Sequence, residues 1–119
     1  MKVVVRETVA ELGMPLRYHA ARRVRLELAR FACQIRKVTV LITEAKNSDG
    51  SSRTRCFIAA EMGPSGVVFV DHSGLQAYLT VTQAIQRLAG AITQREREER
   101  HSEAVRAAKE SEALSVIVK

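Results

Sequence analysis

"RTRCFIAAEMGPSGVVFVDH", residues 53–72, decides the fold. Cys56, Ile58, Ala60 and Met62 alternate with Arg55, Phe57, Ala59 and Glu61, the period of two that sends one set to a core face of a strand and the other to the opposite face. "GPSG" at 63–66 is a turn signal, and "VVFVDH" at 67–72 is a second β-branched run directly beyond it. Strands joined by so short a connection lie antiparallel. "GPSG" is too short for a phosphate-cradling loop and lacks its lysine, so a hairpin turn is its whole meaning.

Upstream, Val38, Val40 and Ile42 alternate with Thr39, Leu41 and Thr43 in "VTVLITE", and the polar "KNSDGSS" at 46–52 turns the chain into the next run. Three consecutive antiparallel strands follow from this spacing. "KVVVRE" at 2–7 reads as a further strand, broken by Gly13 and Pro15 of "LGMP", with a helix expected just after. A strand, a helix and a strand in that order predict parallel pairing through a right-handed crossover. At 100° per residue, Ala21, Leu28 and Phe31 fall within about 60° of Val24 in "ARRVRLELARF", residues 21–31. Arg22, Arg23 and Arg30 fall opposite with His19, Arg25 lies on a flank, and Leu26 sits among the polar positions.

Ser73 is the expected N-cap of a last helix, whose stripe is Tyr78, Val81, Ile85, Leu88 and Ile92. Its outer face from Gln76 to Gln94 carries Arg87 as its only charge. "REREERHSE" then reads as a solvated face in which Arg95 neighbours Glu99 and Glu96 neighbours Arg100. The predicted class is α+β, in the order β-α-β-β-β-α, with two helices packed on one face of a four-stranded mixed sheet. One domain is expected over residues 1–100. Residues 101–119 form a tail that continues the helix, frays, or offers "ALSVIVK" to a partner as a strand.

Charge is more informative when located than when summed. Of the formal net +6, all resides between Arg17 and Lys37, where Arg17, Arg22, Arg23, Arg25, Arg30, Arg36 and Lys37 face one acid, Glu27; the rest of the chain is balanced. A concentrated patch attracts a polyanion more than the same charge spread thinly, and arginine's planar fork suits phosphate oxygens. With no Trp, three Phe and two Tyr, the composition argues against a base-stacking platform and for contacts to phosphate and sugar. Cys33 and Cys56 are far apart in sequence and are expected as reduced, buried thiols.

Enzymatic chemistry is not expected. Asp71, His72 and Ser73 are the residue types of a hydrolase triad, but contiguous residues cannot aim at one another in the required chain. His19, His72 and His101 with the two cysteines lack zinc spacing, and no carboxylate pair stands out, so no catalytic residue, metal or cofactor is expected. No apolar run approaches the ~20 residues of a membrane span, and no signal peptide is apparent, so a cytoplasmic protein without membrane or small-molecule partners is the expectation.

"LRYHAARRV", "ARFACQIRKVTV", the turn with "RTRC", and "LQAYLTVTQAIQRLAGAI" resemble, in order, segments of the ribosome hibernation-promoting factor family, also called ribosomal subunit interface or sigma-factor modulation proteins. The resemblance spans roughly residues 1–100 and implies the same β-α-β-β-β-α fold. It implies a stress-related protein that enters the small ribosomal subunit near the decoding region, contacts its ribosomal RNA, and blocks messenger and transfer RNA. It places RNA contacts at Arg22, Arg23, Arg30 and Arg87, with Arg95 near the basic helix end; the charge cluster adds Arg25, Arg36 and Lys37. "YLTVT" and "QRL", with Gly90 and Gln94 beyond, stand where the family is more basic, so the second helix carries less charge than the resemblance leads one to expect. The family's long forms pair ribosomes through a further C-terminal domain, and this chain is expected to be a short form. The alternative is a divergent paralogue that has become a protein-interaction or self-association module, such as a weak homodimer, without RNA binding.

Overall fold

The computed structural model describes residues 1–8 and 13–118, with side chains described as far as residue 111. The elements are β1 (Lys2–Glu7), α1 (Gly13–Glu27), a 3₁₀ turn (Ala29–Phe31), β2 (Lys37–Lys46), β3 (Ser52–Glu61), a 3₁₀ turn (Gly63–Ser65), β4 (Val67–Gly74) and α2 (Ala77–Val118). The sheet runs β1-β2-β3-β4, with β1 parallel to β2 and the other pairs antiparallel. This is an α+β fold with α1 and the first part of α2 on one face of the four-stranded sheet. Residues Met1–Ala89 form one compact unit, and Gly90–Lys119 a second, which holds the remainder of α2 as far as Val118.

Alternation along the strands builds the covered face. Val38, Val40 and Ile42 of β2 and Thr54, Cys56, Ile58 and Ala60 of β3 are buried. From α1 come Leu16, Ala20 and Val24, from the residue that follows it Leu28, and from the first part of α2 Val81, Ile85 and Leu88, all fully buried. Each of these Leu, Ile and Val side chains contributes about 1.5–3 kcal/mol by leaving water. Between β2 and β3 the turn is set by Asn47, whose N–H donates to the Ser51 carbonyl at 2.7 Å, while the Asp49 carboxylate accepts from the Ser51 N–H at 3.0 Å and hydroxyl at 2.6 Å. Gly50 stands at φ +87°, a left-handed conformation that a side chain would strain.

Three local expectations are corrected. Gly13 opens α1 and Pro15 lies inside its first turn, because the first N–H groups of a helix have no intrahelical partner and proline's missing donor costs nothing there. The buried position of α1 is Ala20, with Ala21 only half-buried, because the core set recurs every four residues from Leu16 to Leu28. Ser73 is not the cap of α2: it lies in β4, paired with Arg55. Gln76 does that work, its Oε1 accepting from the Leu79 N–H at 2.6 Å and its carbonyl from the Thr80 N–H at 2.9 Å and hydroxyl at 2.7 Å.

The same corner makes Gly74 a close approach. A Cβ there would stand 2.5 Å from Thr80 Oγ1, and Thr80 is buried and tied to Gln76. Gly74→Ala is expected to destabilise the domain by about 1–3 kcal/mol through this overlap. Urea denaturation of the single variant and of Gly74→Ala/Thr80→Ala checks it: the second substitution restores part of the loss, and simple additivity would contradict the contact.

Candidate nucleic-acid interface

The exterior of α1 is where the local excess of arginine comes to the surface. Arg22 and Arg25 are exposed, and a separation of three residues makes them neighbours on one helix face. Tyr18 and Leu26, 68% and 59% exposed, belong to the same arc. The ion pairs among the described residues engage Arg17, Arg23, Arg55 and Arg95, leaving Arg22 and Arg25 outside them. Two like charges three residues apart disfavour a helix by about 0.2–0.5 kcal/mol, so this arrangement is not one that local stability selects.

The other cations of the cluster have partners or different surroundings. Arg17 lies 3.8 Å from Glu7 of β1. Arg23 donates to Glu27 at 2.6 Å one helical turn on, and its Nε is buried without a partner. Arg30 lies over the Phe31 ring, 4.6 Å from its centroid. His19, expected beside the arginines, instead faces α2. Its Nε2 is 3.2 Å from the Tyr78 carbonyl oxygen and 3.0 Å from Thr82 Oγ1, and its ring meets that of Tyr78 edge-on. This flank of α1 is thus an inter-helix seam, which explains why Arg23, one residue-turn further round, is half-buried.

The remaining sequence-predicted positions are spread over other surfaces. Arg36 is exposed just before β2, where its N–H donates to the Glu61 carbonyl at 2.8 Å. Lys37 opens β2 opposite Lys2 and Glu61 and alternates with buried Val38, which puts it on the sheet face away from the helices. Arg87 is exposed on α2, about 140° round the helix from Thr82, the side that meets α1, and about 40° from Gln83, which contacts His72 of β4 at 2.9 Å. Arg95 belongs to the second compact unit, 3.9 Å from Glu99. Arg22 and Arg25 are the pair that the fold brings together and leaves outside the ion pairs of the described residues. Tyr18 escaped the sequence reading, although its spacing of four from Arg22 is a signal for a shared face.

The Asp71-His72-Ser73 run cannot form a triad. Strand alternation sends His72 to one face and Asp71 and Ser73 to the other, and Asp71 accepts from Arg55, whose guanidinium holds its carboxyl below the usual carboxylate range. Cys33 is exposed rather than buried, because it lies in the irregular stretch between the 3₁₀ turn and β2. Cys56 is buried in the sheet core, and burial first, then the Asp71 charge, pushes its thiol up to about 12, so it stays protonated and inert at neutral pH. Among the described residues no group of three or more His, Cys, Asp or Glu could hold a metal ion, and no helix is long and apolar enough to cross a membrane.

No protein-family profile matches the chain, and no curated protein sequence does. Its fold is similar to that of a ribosomal subunit interface protein from Coxiella burnetii, with a TM-score of 0.55 and 12% identity over 83% of this chain and 98% of that one. It is also similar to the N-terminal domain of Protein Y from Thermus thermophilus, with a TM-score of 0.50 and 20% identity over 82% of this chain and 98% of that one. At these identities the likeness is one of fold.

Proposed function

We propose that this protein is a non-enzymatic, ribosome-associated RNA-binding protein of the cytoplasm. It lodges in the decoding region of the small ribosomal subunit and keeps messenger and transfer RNA out of idle ribosomes. The observation that carries the reading is the exterior of α1, where Arg22 and Arg25 stand exposed and outside the ion pairs of the described residues. Two fixed guanidinium forks at helical spacing match successive backbone phosphates of folded RNA. The likeness of the fold to a protein named for the ribosomal subunit interface supplies the kind of RNA. The mechanism is steric: Arg–phosphate contacts anchor a rigid domain, and no bond is made or broken. Arg23, Arg30, Arg36, Lys37, Arg87 and Arg95 add general positive potential to the anchor.

Sedimentation of a lysate through sucrose at two salt concentrations tests the reading. The protein is expected to travel with small subunits at low salt, and two phosphate contacts alone predict about a tenfold loss of affinity between about 50 and about 200 mM salt. Failure to travel with small subunits even at low salt would overturn the reading and favour the self-association module.

A further inference from the structure

The sheet face turned away from the helices is not the polar surface that a half-covered sheet usually presents. Phe57 and Phe69 are 37% and 64% exposed on it, and their rings stack with centroids 5.8 Å apart and planes 28° off parallel. Beside them Leu41, Thr43, Arg55 and Phe57 line a hollow of about 210 Å³. That is below the ~300 Å³ of pockets that enclose a whole small molecule, and it suits one planar group of a longer ligand. Register and alternation place Lys2, Arg6, Lys37, Arg53 and Arg55 on this face against two acids, Glu61 and Asp71.

We infer that this open face binds unpaired RNA, with one base stacked on the exposed Phe69 ring and another seated in the hollow against Phe57, while Arg6 and Arg53 reach the phosphates between them and Arg55 stays paired with Asp71. Four-stranded sheets with aromatic rings on the open face bind single strands in this way, because every base has a π-face and the backbone follows the cations. The charge is complementary to a polyanion and unsuited to a second copy of this chain, whose own excess of cations would be brought against it. Arg6 and Asp71 share the cross-sheet row of Leu41 and Phe57, whereas the centres of protein–protein interfaces are depleted of charge. The Thr43 hydroxyl at the hollow can pair with a ribose 2′-hydroxyl, which selects RNA over DNA.

The inference is independent of the α1 reading and is tested without ribosomes. Fluorescence anisotropy of a labelled, unstructured RNA twelve-mer with the full chain is expected to give salt-sensitive binding. Phe57→Leu and Phe69→Leu keep apolar bulk but remove the ring, and each is expected to weaken binding about fivefold or more. Asp71→Asn releases Arg55 and removes an acid, so it is expected to strengthen binding. Arg22→Glu/Arg25→Glu lowers the net charge of the whole chain and is expected to weaken binding of the twelve-mer no more than Arg106→Glu/Lys109→Glu does, which separates this surface from the one on α1. Leucine variants that bind as wild type while folded by circular dichroism would overturn stacking, and equal affinity for the DNA twelve-mer would overturn the assignment to RNA. A dimer in light scattering that Phe69→Asp breaks, with RNA binding absent, would assign the face to a second copy instead.

Discussion

Ile58→Ala is expected to cost the domain about 2–5 kcal/mol of unfolding free energy, a large share of the ~5–15 kcal/mol that a domain of this kind possesses. Ile58 is fully buried in β3, one of the two inner strands, and is paired with Val40 of β2 and Val70 of β4. Both neighbours are held in regular ladders, so the space left by three carbons cannot close by a local shift. Removal of the transfer free energy and the unfilled cavity then act together. Phe69 provides the comparison. It stands on the opposite face, 64% exposed, and its main partner is Phe57, so Phe69→Ala is expected to cost no more than about 1.5 kcal/mol. Urea denaturation distinguishes them by midpoint at constant slope. A larger loss for Phe69→Ala than for Ile58→Ala would mean that the two faces of the sheet have been assigned the wrong way round.

That assignment is the part of the fold most legible in the sequence, because a period of two admits one answer once a turn is placed. Val38, Val40 and Ile42, with Cys56, Ile58, Ala60 and Met62, are all buried as their alternation requires. Helix ends were harder to read. Ser73 has the chemistry of an N-cap, but its backbone continues the ladder with Arg55, and ladder hydrogen bonds outweigh a capping propensity. The candidate sites depend on partners that a helical wheel does not contain. His19 and Arg23 lie on the polar side of α1, yet the seam with α2 claims His19, and Glu27 claims Arg23. The two phenylalanines of the open face meet only through the β3–β4 register, in which Phe57 pairs with Asp71 and Ala59 with Phe69, so that the rings touch across a diagonal. Composition counts few aromatics, and the hairpin gathers two of them.

Reversing Arg22 and Arg25 together is expected to weaken association with small ribosomal subunits by about 100-fold or more. Each lost charge-assisted contact to phosphate is worth roughly 1.5–3 kcal/mol, and every 1.4 kcal/mol is about tenfold. Glutamates at these positions add repulsion to the loss. The slope of log affinity against log salt is expected to fall by about 2, one unit per phosphate contact removed. Folding should be preserved: both side chains are exposed and outside the ion pairs of the described residues, and arginine and glutamate are comparable helix formers. Charge reversal also lowers the net charge of the whole chain, which weakens attraction to any polyanion. Arg106→Glu/Lys109→Glu makes the same change of net charge at exposed positions of the distal part of α2. Sedimentation at matched salt, with folding checked by circular dichroism, separates the two effects. A large loss confined to the α1 pair assigns the anchor to that helix. Equal losses in both double variants mean that the protein is held by its overall charge and that α1 has no privileged contact.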